Sequence, residues 1–238
     1  MQQIIHYNTP LWMAVLFMIA IPFPFFFIAF WAKKYAETHL KNKVFYGILI
    51  FYALYVVYIF VASHFGLFDK VALPPRVLIY TTIPYAIFLF GVVYRSKLFQ
   101  SILEKSTLQS LVKLHIFRLI GVFFILLYCY NTLPKYFAFL AGMGDMITAI
   151  TSVWVAHKIA QKSINAKKWA LIWNTFGLLD IIITAFLANI LTKISMDTGS
   201  MGVDILAQFP FCIIPAYAPP TIIFLHVAIY KKIKTISQ

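Results

Sequence analysis

Uncharged apolar runs long enough to cross a bilayer recur along the whole chain, and this feature restricts the fold more than any other. A membrane-spanning helix needs about 20 apolar residues at a rise of about 1.5 Å each. A β-barrel would show alternating polar positions, which these continuous runs lack. Only 11% of the residues are charged, far fewer than the surface of a soluble domain needs. Because the runs recur along all 238 residues, the length leaves no room for a separate soluble domain. The runs therefore predict an all-α, polytopic integral membrane protein.

The basic residues predict how many helices cross the membrane and in which direction. The apolar runs indicate seven spans: Pro10–Trp31, Val44–Ala62, Val77–Tyr94, Leu114–Tyr130, Tyr136–Ala156, Trp169–Thr192 and Ile205–Tyr230. Fifteen of the 20 Lys and Arg residues fall in the loops after the first, third and fifth spans and in the C-terminal tail, whereas four fall in the opposite loops. Because basic residues collect on cytoplasmic loops, this alternation predicts seven transmembrane helices with the N-terminus outside and the C-terminus cytoplasmic. It also explains the net charge of +13 without a nucleic-acid partner.

The chain is predicted to form a single seven-helix membrane domain, residues 1–238, in three parts. Residues 1–96 form an apolar, aromatic three-helix part with almost no ionisable group at depth. Residues 97–113 alternate apolar and polar side chains at helical spacing, which predicts an amphipathic helix along the cytoplasmic interface. Residues 114–238 form a four-helix part that carries all of the intramembrane charge. A functional site is therefore expected in the last four helices.

The two cysteines, Cys129 and Cys212, both lie in apolar runs. So small a number predicts no disulfide framework. Both fall near the predicted outer ends of their spans, so a bridge between them stays open, although a buried cysteine usually serves as a small apolar side chain.

Asp145 is an acid inside the otherwise uncharged run FLAGMGDMITAITSVW, Phe139 to Trp154. Small or polar residues recur around it at steps of three or four: Ala138, Gly142, Asp145, Ala149, Ser152 and Ala156. Such a stripe lets the backbone of another helix approach closely. Asp145 is therefore expected to face a neighbouring helix rather than lipid.

The sixth span has a similar polar face. Asn174, Gly177, Asp180 and Thr184 lie along it at steps of three, three and four. At about 1.5 Å per residue, Asp145 and Asp180 both lie about 16–18 Å inside their spans, close to the middle of the bilayer. An ionised group there costs at least about 2.5–3.5 kcal/mol, so both acids need a partner or a wet cavity.

The fourth and seventh spans supply basic groups. His115 and Arg118 share one face of the fourth span, and His226 lies in the inner part of the seventh. The seventh span is interrupted by Pro210, Pro215, Pro219 and Pro220. The sequence therefore predicts one intramembrane cluster for ligand or ion binding, formed by His115, Arg118, Asp145, Asn174, Asp180 and His226. One acid is expected to pair with Arg118, and the other to pair with it too or to be protonated in its apolar surroundings.

A structural role for these residues is the alternative. An Arg118–Asp pair can order helix packing without meeting a ligand. His115 and His226 can each bond a backbone carbonyl or lie at the interface, and Asn174 can form an interhelical hydrogen bond. No HExxH metal motif, nucleophile elbow or phosphate-binding loop occurs in the sequence, so neither a metal site nor a catalytic residue is predicted.

Several motifs in the second half of the chain resemble those of a protein family. They are His115-x-x-Arg118-x-x-Gly121-x-Phe123, Leu133-Pro134, Phe137-Ala138, Gly142-x-Gly144-Asp145 and Trp173-Asn174-x-x-Gly177-x-x-Asp180. This pattern is similar to that of an uncharacterised family of small bacterial multi-pass inner-membrane proteins of about seven helices, over the C-terminal half only. The resemblance implies a bacterial inner (cytoplasmic) membrane and includes Arg118, Asp145, Asn174 and Asp180 in the family pattern. It implies no substrate, cofactor or reaction.

Three functions fit these observations. The first is a transporter or channel for a small solute or ion, linked to ions or protons, since carriers place ionisable groups near the midplane beside broken helices. The second is an intramembrane enzyme or cofactor protein in which His115 and His226 bind haem or a metal. The third is a membrane sensor or assembly subunit with a purely structural polar core. Transport is favoured, enzyme activity and cofactor stay open, and the expected partners are the lipid bilayer, a small solute, ion or proton, and a second copy of the chain.

Overall fold

Regular structure is helical throughout the part of the chain that the computed structural model describes, residues 3–235, apart from an isolated bridge between Gln3 and Lys70. The longer helices in this part are α1 (Leu11–Tyr35), α2 (Lys41–His64), α3 (Leu78–Val93), α4 (Lys97–Lys105), α5 (Leu108–Cys129), α6 (Lys135–Ala160), α7 (Ala166–Thr198) and α8 (Ile213–Thr235). Six of them are long and apolar enough to cross a membrane, and the number reaches seven if α3 and α4 count as one bent span. The prediction of an all-helical fold is confirmed, and the predicted seven spans lie at the upper limit of this count.

The third predicted span, Val77–Tyr94, forms α3. Its two ends, Leu78–Thr82 and Leu89–Val93, are wound with wide i→i+5 hydrogen bonds rather than the usual i→i+4 bonds. The chain then turns by 79° into α4. Ser96 begins α4, because its Oγ accepts a hydrogen bond from the backbone nitrogen of Phe99 at 3.1 Å.

The predicted interfacial helix over residues 97–113 is divided in the structure. α4 ends at Lys105, and Leu108 begins α5, which continues through the fourth predicted span. The break follows from Thr107, whose Oγ1 accepts a hydrogen bond from the backbone nitrogen of Ser110 at 3.2 Å and so starts a new helix. The helix that contains the fourth predicted span therefore begins at Leu108 rather than at Leu114.

The small-residue stripe of α6 faces the interior, as predicted. Its members are all buried: Ala138, Gly142, Asp145, Ala149, Ser152 and Ala156. The large side chains of Leu140, Ile147 and Trp154 are exposed on other faces of the helix. α6 packs its small face against α7 and against the middle of α5. Asp145 accordingly faces neighbouring helices.

α8 is the most deeply buried of the long helices, with 72% of its apolar window inside the protein. It begins at Ile213 rather than at Ile205, where the seventh span was predicted to start. Residues Asp204–Ala207 form a separate short helical turn before it. The two cysteines are free, Cys129 exposed and Cys212 buried, so the bridge that the sequence left open is not formed.

Pro219 and Pro220 lie inside α8 without leaving its carbonyl groups unpaired. Proline has no N–H, so the carbonyl oxygens of Pro215 and Ala216, four residues earlier, lose their partners within the helix. Thr82 Oγ1 donates a hydrogen bond to the first of these oxygens at 2.7 Å. The hydroxyl of Tyr55 donates to the second at 3.1 Å. Side chains from α2 and α3 thus complete the backbone hydrogen bonding of α8 and attach it to the first half of the chain.

Replacing Tyr55 by phenylalanine is expected to lower the free energy of unfolding by about 1–3 kcal/mol, because the carbonyl oxygen of Ala216 would lose its donor in an apolar interior. The matched control is Tyr46→Phe on the same helix, where the side chain is 58% exposed and little change is expected. Chemical unfolding in detergent micelles, followed by circular dichroism, measures both variants. Equal stability of the two variants would contradict the role of Tyr55.

Candidate functional site

Arg118 is fully buried, with 0% of its surface exposed. It lies in the middle of α5, where His115–Gly121 are wound in tight i→i+3 turns. Its Nε donates a hydrogen bond to Asp145 Oδ1 at 2.6 Å, and its Nη2 donates to Asp180 Oδ2 at 2.5 Å. Its Nη1 donates to the carbonyl oxygen of Gly177 at 3.1 Å. One guanidinium therefore holds two carboxylates that come from two different helices.

The two carboxylates are almost completely buried as well. The side chain of Asp145 is 11% exposed and that of Asp180 is 9% exposed. Burial removes the water that would stabilise an ionised carboxylate, so a buried ion pair persists only with short, well-directed hydrogen bonds. The bonds to Arg118 have this geometry. The pairing therefore gives each acid a charged hydrogen-bond donor, but one positive charge is shared between two carboxylates.

Four glycines make room for the cluster: Gly121, Gly142, Gly144 and Gly177. A Cβ atom on Gly144 would lie 1.8 Å from Oδ1 of Asp180, and one on Gly121 would lie 2.5 Å from the Cβ of Asp145. A Cβ on Gly177 would lie 2.8 Å from Cε1 of His226. Because real Cβ atoms do not approach so closely, each position requires glycine for this packing. The glycines allow α5, α6, α7 and α8 to bring their polar side chains into contact.

His226 and Asn174 form a reciprocal pair beside Arg118. Asn174 Nδ2 donates to the backbone oxygen of His226 at 3.1 Å, and the Nδ1 of His226 lies 2.8 Å from Asn174 Oδ1. The Nε2 of His226 lies 3.4 Å from Nη1 of Arg118. A guanidinium only donates hydrogen bonds, so Nε2 accepts and the proton is on Nδ1, which donates to Asn174. These contacts therefore define His226 as a neutral imidazole.

His115 completes the cluster without a hydrogen bond of its own in the described part of the chain. It is fully buried, and neither of its ring nitrogens has a partner there. Its ring lies against that of His226 with 4.3 Å between the centroids, and it meets the ring of Trp173 edge to face at 5.1 Å. Trp173 is held in place by its Nε1, which donates to the backbone oxygen of Thr148 at 3.1 Å.

The haem or metal alternative does not fit this geometry. Two imidazoles that bind one iron from opposite sides place their nitrogens about 4 Å apart and their ring centres farther apart still. The rings of His115 and His226 lie in direct contact, which leaves no space for a porphyrin between them. Both ring nitrogens of His226 are also engaged, one by Arg118 and one by Asn174.

The structure brings the six residues selected from the sequence into one cluster: His115 and Arg118 from α5, Asp145 from α6, Asn174 and Asp180 from α7, and His226 from α8. Both acids contact Arg118, as the sequence predicted for one of them and left open for the other. The packing roles of Gly144 and Trp173 were missed. Gly144 lies outside the small-residue stripe of α6. Its position directly before Asp145 was the one sequence signal that it packs against the cluster.

The chain belongs to the family described as a domain of unknown function (DUF8737), whose model matches residues 74–233. The match covers more than half of the 238 residues and includes every member of the cluster. It agrees with the predicted resemblance to an uncharacterised family and reaches farther toward the N-terminus than the predicted C-terminal half. No curated protein and no solved structure matches the chain.

Proposed function

We propose that the chain is a proton-linked transporter of a small solute or ion, with Arg118, Asp145 and Asp180 as its proton-binding site. In this proposal it crosses the inner membrane of a bacterium seven times, with the N-terminus outside and the C-terminus in the cytoplasm. The distribution of basic residues supports this orientation. Large apolar side chains on the outside of the helices, such as Leu54 at 65% exposed and Phe186 at 67% exposed, are typical of a surface that faces lipid.

The charge of the cluster is the observation that carries the proposal. One guanidinium faces two carboxylates, while the neighbouring His226 is neutral because its Nε2 accepts a hydrogen bond from Arg118. With both acids ionised, the cluster holds one uncompensated negative charge in a buried region, where such a charge is costly. One added proton makes it neutral. The binding and release of a single proton therefore switch the cluster between two charge states.

The helices around the cluster contain elements that can respond to this switch. Arg118 lies in the tightly wound segment His115–Gly121, and such segments within a longer helix often act as hinges. α8 lacks two backbone hydrogen bonds at Pro219 and Pro220, next to the turn that carries His226. Protonation of one carboxylate weakens its bond to Arg118, which allows α5 to rewind and to shift this side chain along the helix axis. Carriers use comparable interrupted helices around a midplane site to alternate access.

Liposomes that contain the purified protein test the proposal under an imposed pH gradient. We expect at least one solute from a panel of ions and small metabolites to enter faster with the gradient than without it. Asp145→Asn and Asp180→Asn should each abolish the gradient-driven part, because each leaves one carboxylate paired with one guanidinium and removes the uncompensated charge that binds the proton. Asp197→Asn is the matched control, since Asp197 pairs with Lys193 at the exposed end of α7. Absence of any gradient-driven uptake, or unchanged uptake in the two cluster variants, would contradict the proposal.

A purely structural core is the second candidate function for the cluster, and the close glycine packing favours it. All three side-chain nitrogens of Arg118 donate a hydrogen bond to an acceptor. The four glycines of the cluster fit closely against the surrounding atoms. A cluster of this kind can define how α5, α6 and α7 pack without exchanging a proton. The two candidate functions differ in one testable respect. If the charges of the cluster are removed and the protein still folds, a transporter loses its activity, whereas a structural core has no activity to lose.

A further inference from the structure

A second candidate site lies in the first half of the bundle, away from the ion cluster. A cavity of ≈ 500 Å³ opens between α1, α2, α3, α4 and α8. Pockets for drug-sized ligands have volumes of about 300–1,000 Å³, so this cavity is large enough for such a molecule. Its walls are apolar and aromatic, with Phe51 from α2, Leu89 from α3 and Phe224 from α8 among them.

The polar groups of the cavity lie at its two ends. Three hydroxyl groups in the middle of the bundle bond one another: Tyr52 to Tyr85 at 2.9 Å, and Tyr85 to Thr221 at 3.1 Å. At the other end, the hydroxyl of Ser96 donates to the backbone oxygen of Val93 and caps α4. Among the described residues, none of the buried polar side-chain atoms that lack a partner belongs to the lining of this cavity. The walls therefore offer a polar solute nothing to bind and suit a hydrocarbon chain.

Lys43 provides a charge at the end of the cavity where α2 begins. It is exposed, and no ion pair of Lys43 occurs in the described part of the chain. Outside the cavity lining, the Nζ of Lys33 lies 4.9 Å from the centre of the ring of Phe45, which follows Lys43 by two positions on α2. Basic side chains that collect at this end attract the phosphate groups of anionic lipids.

The length of the cavity agrees with one leaflet of a bilayer. Tyr52 follows Lys43 by nine positions on α2, which corresponds to about 14 Å along the helix. Half of the hydrocarbon core of a bilayer is about 15 Å thick. A lipid whose phosphate lies at Lys43 can therefore extend one chain along the apolar walls as far as the hydroxyl groups of Tyr52 and Tyr85.

We infer that this cavity binds one chain of an anionic phospholipid from the leaflet at the basic end of the bundle, with the lipid phosphate at Lys43. The apolar walls hold the chain by van der Waals packing, and Lys43 favours an anionic headgroup over a zwitterionic one. The lipid site shares no residue with the proposed proton site, so either can be wrong without the other.

Two glycines give a matched pair of variants. Gly47 lines the cavity, and a Cβ atom built on it meets no atom within 4 Å. Gly91 on α3 is equally open, but it does not line the cavity. Phenylalanine at position 47 should therefore fill the cavity without disturbing α2, whereas phenylalanine at position 91 should project outward. Both substitutions replace a glycine in the interior of a helix, and this replacement by itself stabilises the helix.

The test uses purified full-length protein in lipid nanodiscs that contain equal amounts of phosphatidylglycerol and phosphatidylcholine with identical acyl chains. After transfer to detergent and delipidation, native mass spectrometry counts the lipids that remain. We expect one phosphatidylglycerol on the wild-type protein and on Gly91→Phe, and about tenfold less on Gly47→Phe. Lys43→Gln should retain lipid without preferring phosphatidylglycerol, and Lys41→Gln, outside the cavity lining, should behave as wild type. Circular dichroism and a monodisperse elution profile establish that each variant is folded.

Three results would overturn the inference. The first is a wild-type protein that retains no lipid in stoichiometric amount. The second is equal lipid retention by Gly47→Phe and Gly91→Phe. If Gly47→Phe does not fold, the second result is instead an equal preference for phosphatidylglycerol in Lys43→Gln and in the wild type. The third is recovery of a neutral apolar compound in place of the phospholipid, which would show that the cavity is selective for a different molecule.

Discussion

Replacement of Arg118 by methionine is expected to lower the free energy of unfolding by about 3–5 kcal/mol. Methionine fills much of the same volume but leaves Asp145 and Asp180 without the donor that compensates both of them. Each carboxylate would then lack its charged donor in a buried region, and it would either stay ionised there or take up a proton, both at a cost in free energy. Chemical unfolding of the purified variant in detergent micelles, compared with the wild-type protein, measures the loss.

The matched comparison is the triple variant Arg118→Met, Asp145→Asn and Asp180→Asn. It removes all three charges while keeping the approximate shape of the cluster, and replacing a complete buried ion cluster by neutral groups is often close to neutral for stability. We expect it to recover most of the stability that the single variant loses. A triple variant as unstable as Arg118→Met would contradict the charge compensation. In the liposome assay, retained uptake by the folded triple variant would show that the cluster is structural.

Replacement of Gly144 by alanine is expected to cost about 3 kcal/mol or more, because overpacking and the loss of an ion pair act together. The new Cβ atom would lie 1.8 Å from Oδ1 of Asp180, so the carboxylate must move. Its displacement breaks the 2.5 Å bond to Nη2 of Arg118. Thermal and chemical unfolding in micelles measure the effect.

Gly47→Ala is the control for Gly144→Ala, since a Cβ atom there meets nothing within 4 Å. We expect it to be neutral or to stabilise α2 by up to about 1 kcal/mol. A double variant, Gly144→Ala with Asp180→Ala, separates the two causes. It has no carboxylate for the new Cβ atom to clash with, but it still lacks the ion pair. The double variant should lose about 1–3 kcal/mol less stability than the two single variants lose together, as expected for groups in contact. Strict additivity would contradict the proposed clash.

The helices and the inward faces of α6 and α7 could be predicted from the sequence, because both depend on local spacing. Apolar runs of bilayer length specify helices, and small residues at steps of three or four specify a contact face. Details that depend on other helices could not be predicted. The carbonyl oxygens that Pro219 and Pro220 leave free are bonded by Tyr55 and Thr82, which are more than a hundred residues away in the chain. The break at Thr107 had a local signal in its capping hydroxyl, but the apolar pattern on both sides concealed it.

The membership of the cluster was predictable from burial cost, whereas its pairing was not. An acid or an arginine deep in an apolar span needs a partner, and this reasoning selected Arg118, Asp145 and Asp180 from the sequence. Spacing defines the face of a helix but not its rotation or height relative to its neighbours. It therefore could not show that a single guanidinium reaches both acids. The contact between the rings of His115 and His226, which excludes a haem between them, likewise required the assembled helices.

Infrared difference spectroscopy across a pH titration tests most directly whether this cluster holds one exchangeable proton. The chain has only seven Asp and Glu residues, so isotope labelling of aspartate can isolate the few candidate signals. We expect one carbonyl band of a buried, protonated carboxylic acid that appears and disappears with pH and is absent from the variant in which Asp145 and Asp180 are both asparagine. If Asp145 and Asp180 remain ionised at every pH at which the protein is folded, the proton-binding account is wrong.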